Sequence, residues 1–313
     1  MTTSRRALAF GMMVLMVCWP FVTGDYLTGL MTQILIFGLL ALSADLLLGH
    51  AGLFSLCHAS FFSVAAYTAA ILQVRYQMPT ELAALSGIFS GTLLGLIFGL
   101  AVRTRGVYFI LVTLAMGYVV WGVGYRWASF TGGDSGVTGV AALNLFGFSF
   151  VSPKSYYFVV LIVVSLVILV YAHLTKSPFG LALRGIKSSE PRMRSIGFHP
   201  AFHLYIAFVI SSFMASIAGV LYVFFNKFVN PVSASLHVSV DSVLMAIVGG
   251  SASLLGPFIG SAIVLWLRNW VSTYIELHLA VMGLVFIAVV LWAPGGVMGW
   301  VKKLTSKPSG EAS

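Results

Sequence analysis

Charge is what this sequence has least of. It carries 17 Lys and Arg and 8 Asp and Glu in 313 residues, 8% in all, where a soluble domain has about 25%. With 59% hydrophobic residues and a mean hydropathy of +1.01, too little polar surface exists to face water, so lipid must be the solvent. Catalytic motifs are missing too. No lysine follows a glycine, which excludes a GxxxxGK[ST] phosphate loop. There is no GxSxG elbow, no HExxH, and no acidic cluster to hold metal and diphosphate. The chain does not read as an enzyme. Cysteine is nearly absent: Cys18 and Cys57 sit in apolar runs at no metal-ligand spacing. They read as small buried hydrophobes, and neither a metal centre nor a cofactor is expected.

What is present is a series of long apolar runs. A helix needs about 20 apolar residues to cross a bilayer, and the candidates are 7–23, 28–48, 53–73, 82–102, 106–126, 155–173, 203–225 and 272–292. The first follows Arg5 and Arg6 like a secretory signal, but Trp19-Pro20 stands where a small-residue cleavage site belongs, so it reads as a retained span. Between the last two lies 241–268, apolar but broken at Gly249-Gly250 and Gly256-Pro257. Its pieces, about 9 and 12 residues, are too short to cross alone. The expected fold is an all-α polytopic membrane protein of about eight transmembrane helices plus one re-entrant or discontinuous helical segment. Residues 1–300 would form one transmembrane domain, with 301–313 a short cytoplasmic tail.

The formal net charge of +9 is distributed as a topology signal, not as a nucleic-acid face. With the N-terminus inside, inner segments hold Arg5, Arg6, Arg103, Arg105, Lys176, Arg184, Lys187, Arg192, Arg194, Lys302, Lys303 and Lys307, and the outer side Arg75, Arg126, Lys154, Lys227 and Arg268. This bias puts both termini in the cytoplasm, provided that 241–268 enters and leaves on one face. The outer loop 127–154 is long and neutral. The inner loop 174–202 is basic.

That inner loop opens with Ser177-Pro178, an N-cap followed by proline at the first helical position. Phe179, Leu183 and Ile186 make a narrow apolar stripe flanked by Arg184 and Lys187. Pro191 is expected to end the helix near Glu190. An amphipathic helix over 178–190, about 20 Å long, either lies on anionic lipid or docks into a partner's groove.

Two glycine breaks interrupt apolar runs: Gly49-His50-Ala51-Gly52, followed by Ser55 and His58, and Gly249-Gly250-Ser251, followed by Ser253. Backbone freed at membrane depth must be satisfied by protein, water or ligand, and interrupted segments in both halves of a chain point to a transport pathway. They can also be simple turns or close-packing sites. Gly91, Gly95 and Gly99 repeat at helical spacing and read as a packing face. Asp45 and Asp241 are ionisable residues at the ends of apolar segments, where capping or snorkelling competes with a transport role.

Five stretches together resemble the ABC-importer permeases of the branched-chain amino acid type, the LivM-like half. They are Leu46 to Leu56; Arg105-Gly106-Val107-Tyr108-Phe109 with Thr113-Leu114-Ala115; Thr131-Gly132-Gly133 with Gly136; Ser177 to Gly197; and Gly249-Gly250-Ser251 to Gly256-Pro257. The resemblance implies a pathway-forming permease subunit of an ATP-driven importer in a bacterial inner membrane, for branched-chain or other small amino acids. Its partners would be a second, related permease in a heterodimer, two cytoplasmic ABC ATPases, a periplasmic substrate-binding protein and the bilayer. Hydrolysis would fall to the separate ATPases. In that family the inner loop is the coupling helix, which implies a contact surface of Phe179, Gly180, Leu183, Arg184, Lys187 and Glu190. Leu181 stands where the family usually has arginine, and Pro191 interrupts what is often a longer helix. The implied pathway residues are Gly49, Gly52, Ser55, His58, Gly249 and Gly250. The alternatives are the same permease carrying urea, short amides or aromatic acids, and a carrier driven by an ion gradient with Asp45 or Asp241 as its coupling carboxylate.

Overall fold

The computed structural model describes residues 16–274 except Phe146, together with 283–284, 287 and 295–299. Most of the expected first and last spans and the tail 301–313 lie outside the described residues; 16–22 are helical. Helix α1, Asp25–Asp45, runs on into a π-helical turn, Leu46–Ala51. It is followed by α2, His58–Tyr76, α3, Thr80–Phe98, which tightens into a 3-10 turn over Gly99–Arg103, and α4, Val107–Arg126. After the one-turn α5, Ala128–Thr131, come α6, Pro153–Lys176, and two short helices, α7, Pro178–Ser188, and α8, Glu190–Ser195. Then follow α9, Pro200–Asn226, α10, Leu236–Gly249, and α11, Gly256–Tyr274.

Helices dominate because lipid offers no partner for free backbone groups, and a helix satisfies them within itself. Among the described residues five helical stretches are long and apolar enough to cross a membrane: Asp25–Ala51, Thr80–Arg103, Val107–Arg126, Pro153–Lys176 and Pro200–Asn226. Helix α2 has 19 residues but is more polar, with His58, Ser60, Ser63, Thr68, Gln73 and Arg75 along it.

The centre of the bundle is α2 packed between α3 and α9, with α1 behind. The glycine ladder of α3 explains the closeness of that packing. A side chain at Gly91 would place its Cβ 2.8 Å from the Phe61 carbonyl and onto Ser216, and at Gly95 it would overlap Ser212. Small residues let helix backbones approach, and the contact itself supplies the attraction that lipid does not.

Two ends can be distinguished. At one, β1, Val137–Thr138, pairs antiparallel with β4, Phe228–Val229, in the register Val137↔Val229 and Thr138↔Phe228. This clips the 127–154 segment to the end of α9. Arg75 donates to the Ser129 carbonyl at 2.8 Å, and Thr80 exchanges bonds with the Asn144 backbone at 2.6 and 2.9 Å. At the other end lie the π-turn, the 99–105 connection, α7 and α8, and the turn between α10 and α11. The basic residues Arg105, Arg184 and Lys187 gather here, whereas Arg75 and Lys227 lie at the first end, as their sequence separation into two sets requires.

Two expectations change. The 241–268 segment is a hairpin of longer arms, 14 residues in α10 and 19 in α11. Helix α10 starts at Leu236, five residues before Asp241. Gly256-Pro257 opens a helix instead of breaking one, because proline fits the first turn, where its missing N–H is no loss. Arg268, expected in an outer loop, sits well inside α11 and forms an ion pair with Asp241 of α10 at 3.3 Å. The second change is in the inner loop. Helix α7 ends at Ser188, Ser189 is extended, and Pro191 lies in the first turn of α8. The proline therefore starts the second helix, where it was expected to finish the first.

Candidate functional site

Each glycine break is a place where two backbones nearly touch. At the first, α1 widens into the π-turn and closes on Gly52, whose φ of +74° is left-handed and whose N–H returns to the Leu47 carbonyl. Leu53 N–H also donates to that carbonyl, at 2.9 Å. The chain then runs without regular structure to Cys57, with Leu56 N–H held by Thr113 Oγ1 of α4 at 3.2 Å, before α2 begins. At the second, α10 ends on Gly249 and Gly250 takes a φ of +111°. Ser253 then closes the turn, its Oγ donating to the Gly250 carbonyl at 2.6 Å and accepting from Gly256 N–H at 3.0 Å.

The two breaks meet. A Cβ at Gly49 would lie 2.6 Å from Ala252 N and 2.6 Å from Asp45 Oδ1. Asp45, fully buried near the end of α1, accepts from Ala252 N–H at 2.8 Å through Oδ1 and from the Tyr171 hydroxyl at 3.1 Å through Oδ2. That hydroxyl also lies 3.3 Å from His50 Nδ1. From the other side Lys187 of α7 donates to the Gly49 carbonyl at 2.7 Å and the Leu48 carbonyl at 3.2 Å. These carbonyls are ones that the end of a helix leaves without intrahelical partners. One polar cluster thus joins α1, α6, α7 and the α10–α11 turn.

Helix α7 is amphipathic, as its spacing requires. Ser177 Oγ accepts from Gly180 N–H at 3.4 Å, and Gly180, Ala182, Leu183 and Ile186 are buried against the rest of the chain. Of the six residues expected on a contact surface, Gly180 and Leu183 therefore face inward. Phe179 stacks on His203 at 5.9 Å. Glu190 is paired with Arg105 at 2.8 Å and Arg194 at 3.0 Å. Lys187 reaches into the first break. Arg184 is exposed and donates to the Gly180 and Thr175 carbonyls at 3.3 and 3.2 Å. The outward face consists of Arg184, Ser188 and Leu181, which is 59% exposed.

Of the expected pathway residues, Gly49, Gly52, Gly249 and Gly250 lie in this cluster or against it. Ser55 is buried beside Cys57, with Oγ and Sγ 3.3 Å apart. His58 opens α2 with Nε2 2.8 Å from Ser211 Oγ, whose hydroxyl donates to the Ser43 carbonyl at 2.6 Å. It links three helices and meets no other expected pathway residue. A cleft of about 520 Å³ runs between α2, α3 and α4, past Ser63, Tyr67, Leu94, Val120 and Trp127, and none of the six lines it. The two carboxylates that a gradient-driven carrier would use are both engaged internally, Asp45 by two donors and Asp241 by Arg268.

Sequence reasoning missed Tyr171 and the inward turn of Lys187. Tyr171 lies in an unbroken apolar run and carries no signal of its own. Lys187 does carry one: it is four residues after Leu183 and seven after Gly180, on the same helical face.

The comparisons with known proteins agree with this architecture. A family described as "Branched-chain amino acid transport system / permease component" matches residues 26–290. The chain is 25% identical to the high-affinity branched-chain amino acid transport system permease protein LivM of Salmonella typhimurium, covering 99% of this chain and 79% of that protein. The same figures hold for LivM of Escherichia coli K12. No solved structure matches. A match over more than four-fifths of its length places this chain in the branched-chain amino acid transport permease family.

Proposed function

We propose that the chain is the membrane-embedded half of an ATP-driven importer for branched-chain or other small amino acids, working in a bacterial inner membrane with both termini in the cytoplasm. It pairs with a second, related permease, takes substrate from a periplasmic binding protein, and is driven by two cytoplasmic ATPases. The observation that carries this reading is the position of α7. An amphipathic helix with a buried apolar face and an outward face of Leu181, Arg184 and Ser188 stands at the same end as both helix breaks. A motor that grips the outward face would move an element already bonded to the first break. The breaks, held by side-chain bonds and close glycine contacts, are where a bundle can repack between outward- and inward-open states.

Leu181→Asp tests this reading in the assembled importer. Burying the exposed part of Leu181 against an ATPase is worth ~1–2 kcal/mol, so its loss weakens ATPase co-purification by about tenfold. Unchanged co-purification, with normal membrane insertion, would refute the docking assignment.

A further inference from the structure

Of the residues on α7, Lys187 is the one whose side chain leaves the outward face and enters the bundle. Its stem packs on Gly52, where a Cβ would come within 3.0 Å of Lys187 Cγ. Its ammonium bonds the Gly49 and Leu48 carbonyls at 2.7 and 3.2 Å. Gly49 in turn abuts Ala252, and Asp45 holds Ala252 N–H at 2.8 Å. A continuous chain of contacts therefore runs from the loop helix through the first break to the second, and among the described residues Lys187 is the only α7 side chain bonded to the π-turn. Hydrogen bonds to a charged donor are stronger than neutral ones, and glycine on both sides of the contact leaves little slack.

We propose that Lys187 is a positioning residue that transmits movement of α7 to the two helix breaks, with Asp45 carrying it on to the 250–252 turn. This deepens the docking reading and depends on it only for what moves α7. Mechanical linkage accounts for both bonds of the ammonium and for the absence of side chains at Gly49 and Gly52, which a residue serving only to grip an ATPase would not require.

The test uses Lys187→Met and Lys187→Arg in a background with the exposed Cys18 replaced. Spin labels at Ser188 and Ser251, both exposed, report the distance between α7 and the second break in the purified chain without ATPase. Wild type and Lys187→Arg give one narrow distribution, and Lys187→Met gives a broader or displaced one. In the reconstituted importer, Lys187→Met lowers substrate moved per ATP hydrolysed by about tenfold, in keeping with the loss of two charge-assisted bonds. It leaves ATPase co-purification intact, and Lys187→Arg restores at least half of the ratio. An unchanged label distance in Lys187→Met would overturn the linkage, and so would a changed distance with an unchanged transport-to-ATP ratio. If Lys187→Met fails to insert, Lys187→Gln, a shorter neutral donor, gives the same two readings. Failure of the docking reading shows separately, as ATPase retained by Leu181→Asp.

Discussion

Removing the Asp45 side chain is the perturbation whose cost can be followed most closely. The carboxylate is fully buried and takes two donors, Ala252 N–H at 2.8 Å and the Tyr171 hydroxyl at 3.1 Å. In Asp45→Ala both lose their acceptor. A buried donor left unpaired costs ~1–3 kcal/mol in water-soluble proteins and about 1–2 between membrane helices. Tyr171 keeps His50 Nδ1 at 3.3 Å as a second acceptor, so its share falls at the low end, and the sum is ~2–4 kcal/mol. Asp45→Asn keeps an oxygen for Ala252, and its new N–H₂ can face Tyr171 if the phenol gives its proton to His50, so its cost is about 1 kcal/mol. At roughly 2–4 °C per kcal/mol, the alanine variant loses roughly 5–12 °C of thermal midpoint and the asparagine variant under about 4 °C. The assay is the monodisperse fraction of purified protein after heating, at one fixed ramp because unfolding of such a chain is irreversible. Equal losses for Ala and Asn, or no loss for Ala, would refute the reasoning, since the carbonyl oxygen facing Ala252 would then hold nothing.

Two further perturbations follow from the packing. Gly95→Ala puts a Cβ onto Ser212 and costs ~1–3 kcal/mol, and the double variant Gly95→Ala/Ser212→Gly regains at least half of the lost thermal midpoint. Gly91→Ala is harder to relieve, because its Cβ also meets the Phe61 carbonyl at 2.8 Å. A neutral Gly95→Ala would contradict the close packing of α3 on α9. Asp241→Ala leaves Arg268 without its partner inside the α10–α11 hairpin and lowers membrane yield. The double variant Asp241→Ala/Arg268→Ala recovers it, because losing both charges is cheaper than stranding one. A double variant no better than the single would show that the pair does not matter.

The sequence carried the fold as far as its periodicities reach. Apolar runs placed α1, α3, α4, α6 and α9 to within a few residues, and the glycine ladder at Gly91, Gly95 and Gly99 marked a packing face that the helix contacts bear out. Local chemistry misled in two places, both at proline. Pro257 and Pro191 looked like breaks and are helix starts, because proline's exclusion from a helix interior is the same property that suits it to the first turn. The candidate site was legible in parts and not as a whole. Gly49, Gly52, Gly249 and Gly250 could be picked out as breaks one by one. That Gly49 touches Ala252, or that Asp45 binds a backbone N–H 207 positions away, is a tertiary fact that spacing along the chain does not encode. The contact face of α7 was drawn from resemblance, which named Gly180 and Leu183. Its own 3.6-residue period, with Gly180, Leu183 and Ile186 buried, turns those residues inward and leaves Leu181 outside.

The most direct test of the central claim is the sidedness of Leu181. With Cys18 replaced and Cys57 buried, Leu181→Cys provides a single accessible thiol on the outward face of α7. The expected result is labelling by a membrane-impermeant maleimide in inside-out vesicles only, with protection when the ATPases are bound. Labelling in intact spheroplasts, before any lysis, would put α7 on the wrong side of the membrane for a cytoplasmic motor and contradict the account.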